Sequence, residues 1–312
     1  MGPAIAPIAG GYIVEFTTYR WIFWSVSIFG AAIQFIAFLT IQETYAPIIL
    51  GRKAKKLRKQ TNNPTLHTAF DSPDKRFFKS LNASLMRPLR LLITQPIIQI
   101  LAAYRAYSYG ILFNVISTFP LLWTSVYHEN TSTASLNYIA LAVGEVSGTL
   151  IGQYGNDRYY RHMKQRNNGK ESPQYRVPLM YPGAIFVPIG LFLYGWAGQY
   201  HVHWVVPDIG IAIFGFGSIM GTQSTNSYIV DVYTRYSASA MAATTFLRSL
   251  TAFTFPLFAP YLYQKLDYGW GNTLIAFLAI LIGIPAPLLL ARYGPRLRAK
   301  SRFAAGGLEE LK

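Results

Sequence analysis

The chain of 312 residues contains no cysteine. Disulfides, thiolate metal sites and cysteine nucleophiles are therefore excluded. Charge is also scarce. Asp, Glu, Lys and Arg make up 13% of the residues, against about 25% in soluble domains. The shortage falls on acids, with 13 acidic residues against 28 basic ones and a net charge of +15. An excess of that sign raises the question of a nucleic-acid partner. The Lys and Arg, however, sit in short blocks between long apolar stretches, which is how a multi-span membrane protein reads, so no nucleic acid is expected. Histidine is sparse too. His67, His128, His162, His201 and His203 form no ligand cluster, and the close pair His201 and His203 beside Trp204 reads as an interfacial loop. No metal and no cofactor is expected. Nor does any apolar stretch present a nucleophile–His–carboxylate set, which argues against a membrane enzyme.

What remains is apolar length. A spanning helix needs about 20 mostly apolar residues. Candidate spans are Met1–Val14, Trp21–Ile41, Pro96–Phe119, Ser135–Gly152, Pro178–Ala197, Val205–Ile229, Ser239–Tyr263 and Thr273–Ala291. The expected fold is all-α, a polytopic membrane protein of about eight transmembrane helices. The first span is too short, is followed by Glu15, and has no basic residue ahead of it, so it does not read as a secretory signal. The simplest expectation is a helix cut by the start of the sequence.

Orientation follows from the bias of Lys and Arg toward cytoplasmic loops. Gly51–Leu91 holds eleven basic residues, Gln153–Val177 six and the tail from Arg292 six. With Arg235 that places 24 of 28 on one side, and only Arg20 and Lys265 in the opposite loops. Both termini are expected in the cytoplasm, in the plasma membrane. Asn130-Thr131-Ser132 is then a glycosylation sequon on the outer side, and Asn82-Ala83-Ser84 a silent one on the inner side. The basic stretch Arg52–Lys59 reads as a topological anchor, with attraction to anionic lipid as the other reading.

Charges inside spans are costly and mark function. Glu145 lies mid-span between Gly144 and Gly148, where small residues bring a neighbouring helix close. Proton handling is the leading reading for Glu145, ahead of substrate recognition or a structural ion pair, with Asp231 and Arg248 as the further proton-coupling candidates. Arg248, mid-span, is read as a partner of Glu145 or Asp231, or as a binder of an anionic substrate. Arg105 is expected to pack against a neighbouring helix or to snorkel. Tyr104, Tyr107, Ile111, Asn114 and Thr118 share one face of the third span, and Gln223 and Asn226 lie near the inner end of the sixth. Polar and aromatic groups on one face turn toward protein or water, not lipid.

The first span repeats small residues with prolines: Gly2, Pro3, Ala6, Pro7, Gly10 and Gly11. The string "GPAIAPIAGG" resembles the Gly-Pro-rich antiporter motif in the fifth helix of drug:proton antiporters of the major facilitator superfamily, with Ala6 where the family has Gly. "RWIFW", "ETYAP" followed by "GRKAKK", "PLRLL", "PQYRVP", "HWVVP", "YIVDVY", "SASAMAATTFLRSL", "FPLFAPYLY" and "GWGNTLIAFLAI" resemble, in order and spacing, the fungal multidrug and secondary-metabolite exporter branch. The likeness runs from Gly2 to about Arg302 and implies spans five to twelve of a twelve-span fold, without the first four. Residues 1–50 would be the last two helices of the N-terminal bundle and 51–91 a basic cytoplasmic loop. Residues 92–294 would form the six-helix C-terminal bundle and 295–312 a cytoplasmic tail. A counterpart of the family's gate motif is expected at Gly152, Gly155, Asp157 and Arg158. The resemblance implies an efflux pump, partnered by protons, the lipid bilayer and a small hydrophobic or amphipathic substrate held by Tyr104, Tyr107, Asn114, Gln223 and Asn226. The competing expectation is a truncated, transport-incompetent membrane protein. A polyamine cargo is disfavoured, because few acids face the expected cavity.

Overall fold

The structure is a computed structural model that describes residues 2–63, 65–68 and 77–304, except the side chains of 3–5 and 77–84. The ring of Pro3, the side chains of the Asn82 sequon, Lys75, Arg76, Lys79 and Lys312 lie outside that set. The described chain is helical throughout: α1 Gly2–Phe16, α2 Arg20–Thr40, α3 Ala46–Thr61, α4 Phe77–Thr94, α5 Pro96–Ser125, α6 Thr131–Leu136 and α7 Tyr138–Arg166, then α8 Met180–Gln199, α9 Val205–Val232, α10 Ser237–Gly283 and α11 Pro285–Ala299. A 3-10 turn, Pro173–Leu179, leads into α8.

Five runs are long and apolar enough to cross a bilayer: Arg20–Thr40, Thr131–Arg166, Pro173–Gln199, Val205–Val232 and Thr234–Ala299. The last run spans twice. Asp267 (φ 53°) breaks α10, and the Tyr263 hydroxyl donates to Asn272 Oδ1 at 3.1 Å. Nine residues of straight helix would separate those residues by about 13 Å, so the chain has folded back. With α5, 30 residues long, and α1, whose 15 residues fall short of a bilayer, the described residues fit the expected count of about eight. The protein is a multi-pass membrane protein.

Three expected loops differ. Helix α7 continues past Gly152 to Arg166, about 20 Å beyond the expected span end. The reason is local: no Gly-Pro breaker intervenes before Gly169, which takes φ 79°, and Lys164 and Arg166 suit the helix C-terminus. Asp157 and Arg158 thus sit on a helix. The basic segment 51–91, read as a loop, carries most of α3 and α4. Residues 264–272 are helix apart from Asp267.

The chain divides into two units, one of Met1–Phe16 with Met86–Lys312 and one of Thr17–Leu85, the boundary falling inside α4. In the larger unit α5 packs on α10, α8 on both α9 and α10, and α7 on α9, with α1 against α6 and α7. Glycine permits the closest approaches. A methyl at Gly144 would strike the Ala212 carbonyl, and one at Gly190 would strike the backbone of Phe214 and Gly210. The helices meet backbone to backbone there, as small-residue seams in membranes do. At one end of the bundle Phe119, Trp123, Tyr138 and Tyr194 form an aromatic cluster, with Phe119 and Tyr138 ring centroids 4.4 Å apart. In the smaller unit no residue of α2 is buried, as suits a helix whose surroundings are lipid or other helices.

Candidate functional site

The extension of α7 carries Asp157 clear of the Gly144–Gly152 seam. There it meets Arg176, which the 3-10 turn aims back across the end of the bundle. Arg176 Nη1 donates to Asp157 Oδ1 at 3.0 Å and Nε donates to Asp231 Oδ2 at 3.0 Å. One guanidinium therefore joins the ends of α7 and α9. The Arg176 side chain is 15% exposed, Asp231 26% and Asp157 66%. The Tyr160 ring lies under the guanidinium at 4.3 Å and meets Tyr175 edge-on. A planar five-donor fork suits two carboxylates and an aromatic face at once.

Arg158, expected with Asp157 in the gate motif, turns along its own helix and donates to the Tyr154 hydroxyl at 2.8 Å. The arrangement differs from the sequence expectation at one point: Asp231 is bound to Arg176, not to Arg248. The Arg248 guanidinium stacks 4.2 Å over the Tyr109 ring instead, because α10 presents it to α5, away from the end of α9. Arg176 was counted in the sequence only as one cation of a basic segment. Its string "PQYRVP" held the signal, but nothing periodic links it to positions 157 and 231.

Arg105 is 3% exposed and donates to Thr244 Oγ1 at 2.9 Å, so it packs between α5 and α10 and does not snorkel. Glu145 is 7% exposed and lies on α7 beside the Gly144 contact with α9.

The α5 face is buried inside the bundle: Tyr104, Tyr107, Ile111, Asn114 and Thr118 are each at most 3% exposed. The Tyr104 hydroxyl lies against Gly221 of α9, and the Tyr107 hydroxyl against Gly283 of α10. Asn114 Nδ2 donates to the Tyr263 hydroxyl at 3.1 Å. Gln223 and Asn226 are half-buried, and Gln223 lies toward Gly152 of α7. Each keeps a buried side-chain carbonyl oxygen without a hydrogen-bond partner, as does Asn114. Buried polar atoms are normally paired, so these three oxygens are among the groups left over for water or a bound molecule.

In α1 the strip expected to pack closely is open. Added methyls at Gly2 and Gly10 meet nothing within 4 Å, and Ala6 is exposed. Pro7 is half-buried. It is Gly11 that touches a neighbour, Ser135 of α6, while the Glu15 carboxylate accepts from the Ser132 backbone N–H at 2.6 Å. Gly11 lies about 100° around the helix from Gly10, which moves the contact off the Gly2–Ala6–Gly10 face. Asn130 is exposed at the start of α6, open to modification.

A second acidic locus had no signal in the sequence. Glu129, between α5 and α6, accepts from Asn137 Nδ2 at 2.9 Å, and burial raises its carboxyl above the ordinary value. Asp208, in the first turn of α9, lies within reach of the Glu129 charge and keeps one buried oxygen unpartnered.

The sequence profile of the Major Facilitator Superfamily matches residues 1–256. An uncharacterized transporter of Schizosaccharomyces pombe, C1529.01, is 44% identical over 96% of this chain and 61% of its own length. The efflux pump vrtL of Penicillium aethiopicum is 44% identical over 95% of this chain and 58% of its own. The probable efflux pump mfs2 of Aspergillus flavus is 40% identical over 96% of this chain and 71% of its own. The chain thus spans about three-fifths of the length of the first two.

Proposed function

Because the chain belongs to the major facilitator superfamily, we propose that the protein containing it exports small hydrophobic or amphipathic compounds, drugs or secondary metabolites, in exchange for protons. The observation that carries this reading is kinship along almost the whole chain with fungal proteins named efflux pumps. In this reading residues 1–50 belong to the first helical bundle, 51–91 connect the bundles, 92–294 form the second bundle and 295–312 a tail. Both termini face the cytoplasm of a plasma-membrane protein, as the basic residues favour. Export then proceeds by rocking one bundle against the other.

In this reading the residues take distinct tasks. The Asp157–Arg176–Asp231 clasp ties the ends of α7 and α9 together at the cytoplasmic end. Glu145, buried against the α9 seam, carries the proton through the bundle. Arg248, stacked on Tyr109, holds α10 to α5 at the depth of the cavity. Asn114, Gln223 and Asn226 offer unpartnered oxygens to the polar part of a substrate, while Tyr104 and Tyr107 supply aromatic surface.

The test is dye accumulation in a host stripped of its own exporters. Expression should lower accumulation several-fold, and a protonophore should abolish the effect. Glu145→Gln should keep substrate binding and lose its pH dependence, since the amide matches the neutral acid in shape. Unchanged accumulation in sound, membrane-inserted protein would favour the competing reading, a packed chain without a transport cycle.

A further inference from the structure

We propose that α3 is an anionic-lipid-binding helix. Its site is a cationic stripe made by Arg52, Lys55, Lys56 and Lys59, which engages the phosphate and carboxylate headgroups of the adjoining leaflet.

The stripe is a product of spacing. Positions 52, 55, 56 and 59 follow the i, i+3, i+4, i+7 pattern that lines one face of a helix, and α3 is helical from Ala46 to Thr61. All four side chains are exposed, and among the described residues none of them makes an ion pair. No Asp or Glu occurs between Glu43 and Asp71, so α3 lacks the interleaved acids of a helix that neutralises its own surface. Four cations within about 10 Å of helix repel one another. An external field of negative charge would relieve that repulsion.

The other side of the helix is occupied. Leu50, Lys53, Ala54 and Leu57 line one cavity together with the returning segment Leu66–Thr68, and half-buried Arg58 donates to the Leu66 carbonyl. The two basic residues off the stripe are therefore at or beside the chain's own contact, while the stripe is bare. Ile48 and Ile49, 41% and 42% exposed, precede it by one turn and add an apolar edge. Residues 41–45 alone separate the spanning helix α2 from α3, and five residues reach at most about 17 Å. The short link thus ties the start of α3 close to the end of a spanning helix. An acidic protein or a soluble polyanion would also meet four cations; the short tether and the apolar edge favour lipid.

The chain lacks cysteine, so Gln60→Cys places a single environment-sensitive fluorophore beside the stripe in the intact, disc-reconstituted protein. Emission should shift as phosphatidylserine replaces phosphatidylcholine, and the shift should fade with salt. Lys55→Gln with Lys59→Gln should weaken the response about 25-fold, about fivefold per cation. Lys53→Gln with Arg90→Gln removes the same charge off the stripe and should change it less than about threefold. Equal losses from the two pairs would reduce the effect to a count of charges and overturn the site. So would an emission unchanged by anionic lipid. A shift produced in neutral discs by inositol hexakisphosphate or an acidic protein, with none from phosphatidylserine, would reassign the stripe to a soluble partner and overturn the lipid proposal. Because each arm reads the helix and not transport, its outcome is independent of whether efflux is observed.

Discussion

The Arg176 guanidinium is mostly desolvated and serves two carboxylates. Removing one partner of such a network leaves the others stranded. Arg176→Met should lower stability by about 1–3 kcal/mol, the lower part of the range for buried pairs because Asp157 is exposed. Adding Asp231→Asn should recover much of that loss. Arg158→Met, by contrast, removes one surface contact to Tyr154 and should change stability by less than about 0.5 kcal/mol. Thermal unfolding of the three variants in detergent checks the ranking. At this scale the sequence was partly legible. Intramembrane charges announce themselves by their rarity, so Glu145, Arg105, Arg248 and Asp231 could be marked. Who pairs with whom depends on helix-end geometry, and a cation 19 residues beyond Asp157 and 55 before Asp231 leaves no trace in spacing. The Asp208–Glu129 pair was hidden for the same reason.

At the scale of the helix, glycines of identical sequence appearance divide into two kinds. Gly144 faces a backbone carbonyl; Gly10 faces open space. Gly144→Ala should destabilise by about 1–3 kcal/mol through overpacking. Gly10→Ala should be neutral or stabilising by up to about 1 kcal/mol, since Ala is the better helix former. Circular-dichroism melts of the two variants discriminate between seam and free surface. Apolar helices were legible because a bilayer imposes length and hydropathy together. The polar helices were not: α3 and the last turns of α7 are too charged to register as spans, and their helicity rests on propensity and on the absence of breakers.

For the whole molecule, the distribution of Lys and Arg makes one topological claim. Single cysteines introduced into this cysteine-free chain at 55 and 130 should react differently with an impermeant thiol reagent applied to intact cells. Position 130 should label and position 55 should not. Labelling at 55 would invert the orientation and with it the assignment of the Arg176 clasp to the cytoplasmic end. The eight-span count itself was readable, although residues 264–272 had been expected to form a loop and instead continue both arms of α10 around Asp267.

That turn at Asp267 has a mechanical meaning. The links at 126–130 and 200–204 each hold several non-helical residues, whereas the arms on either side of Asp267 share one non-helical residue and the Tyr263–Asn272 bond. Displacing one arm along the other would break that bond or unwind helix beside Asp267, so the reversal acts as a clamp. An epitope tag or a reporter domain spliced in at Asp267 should therefore lower expression of folded protein more than the same insert at 126–130, as detergent-stable yield would show.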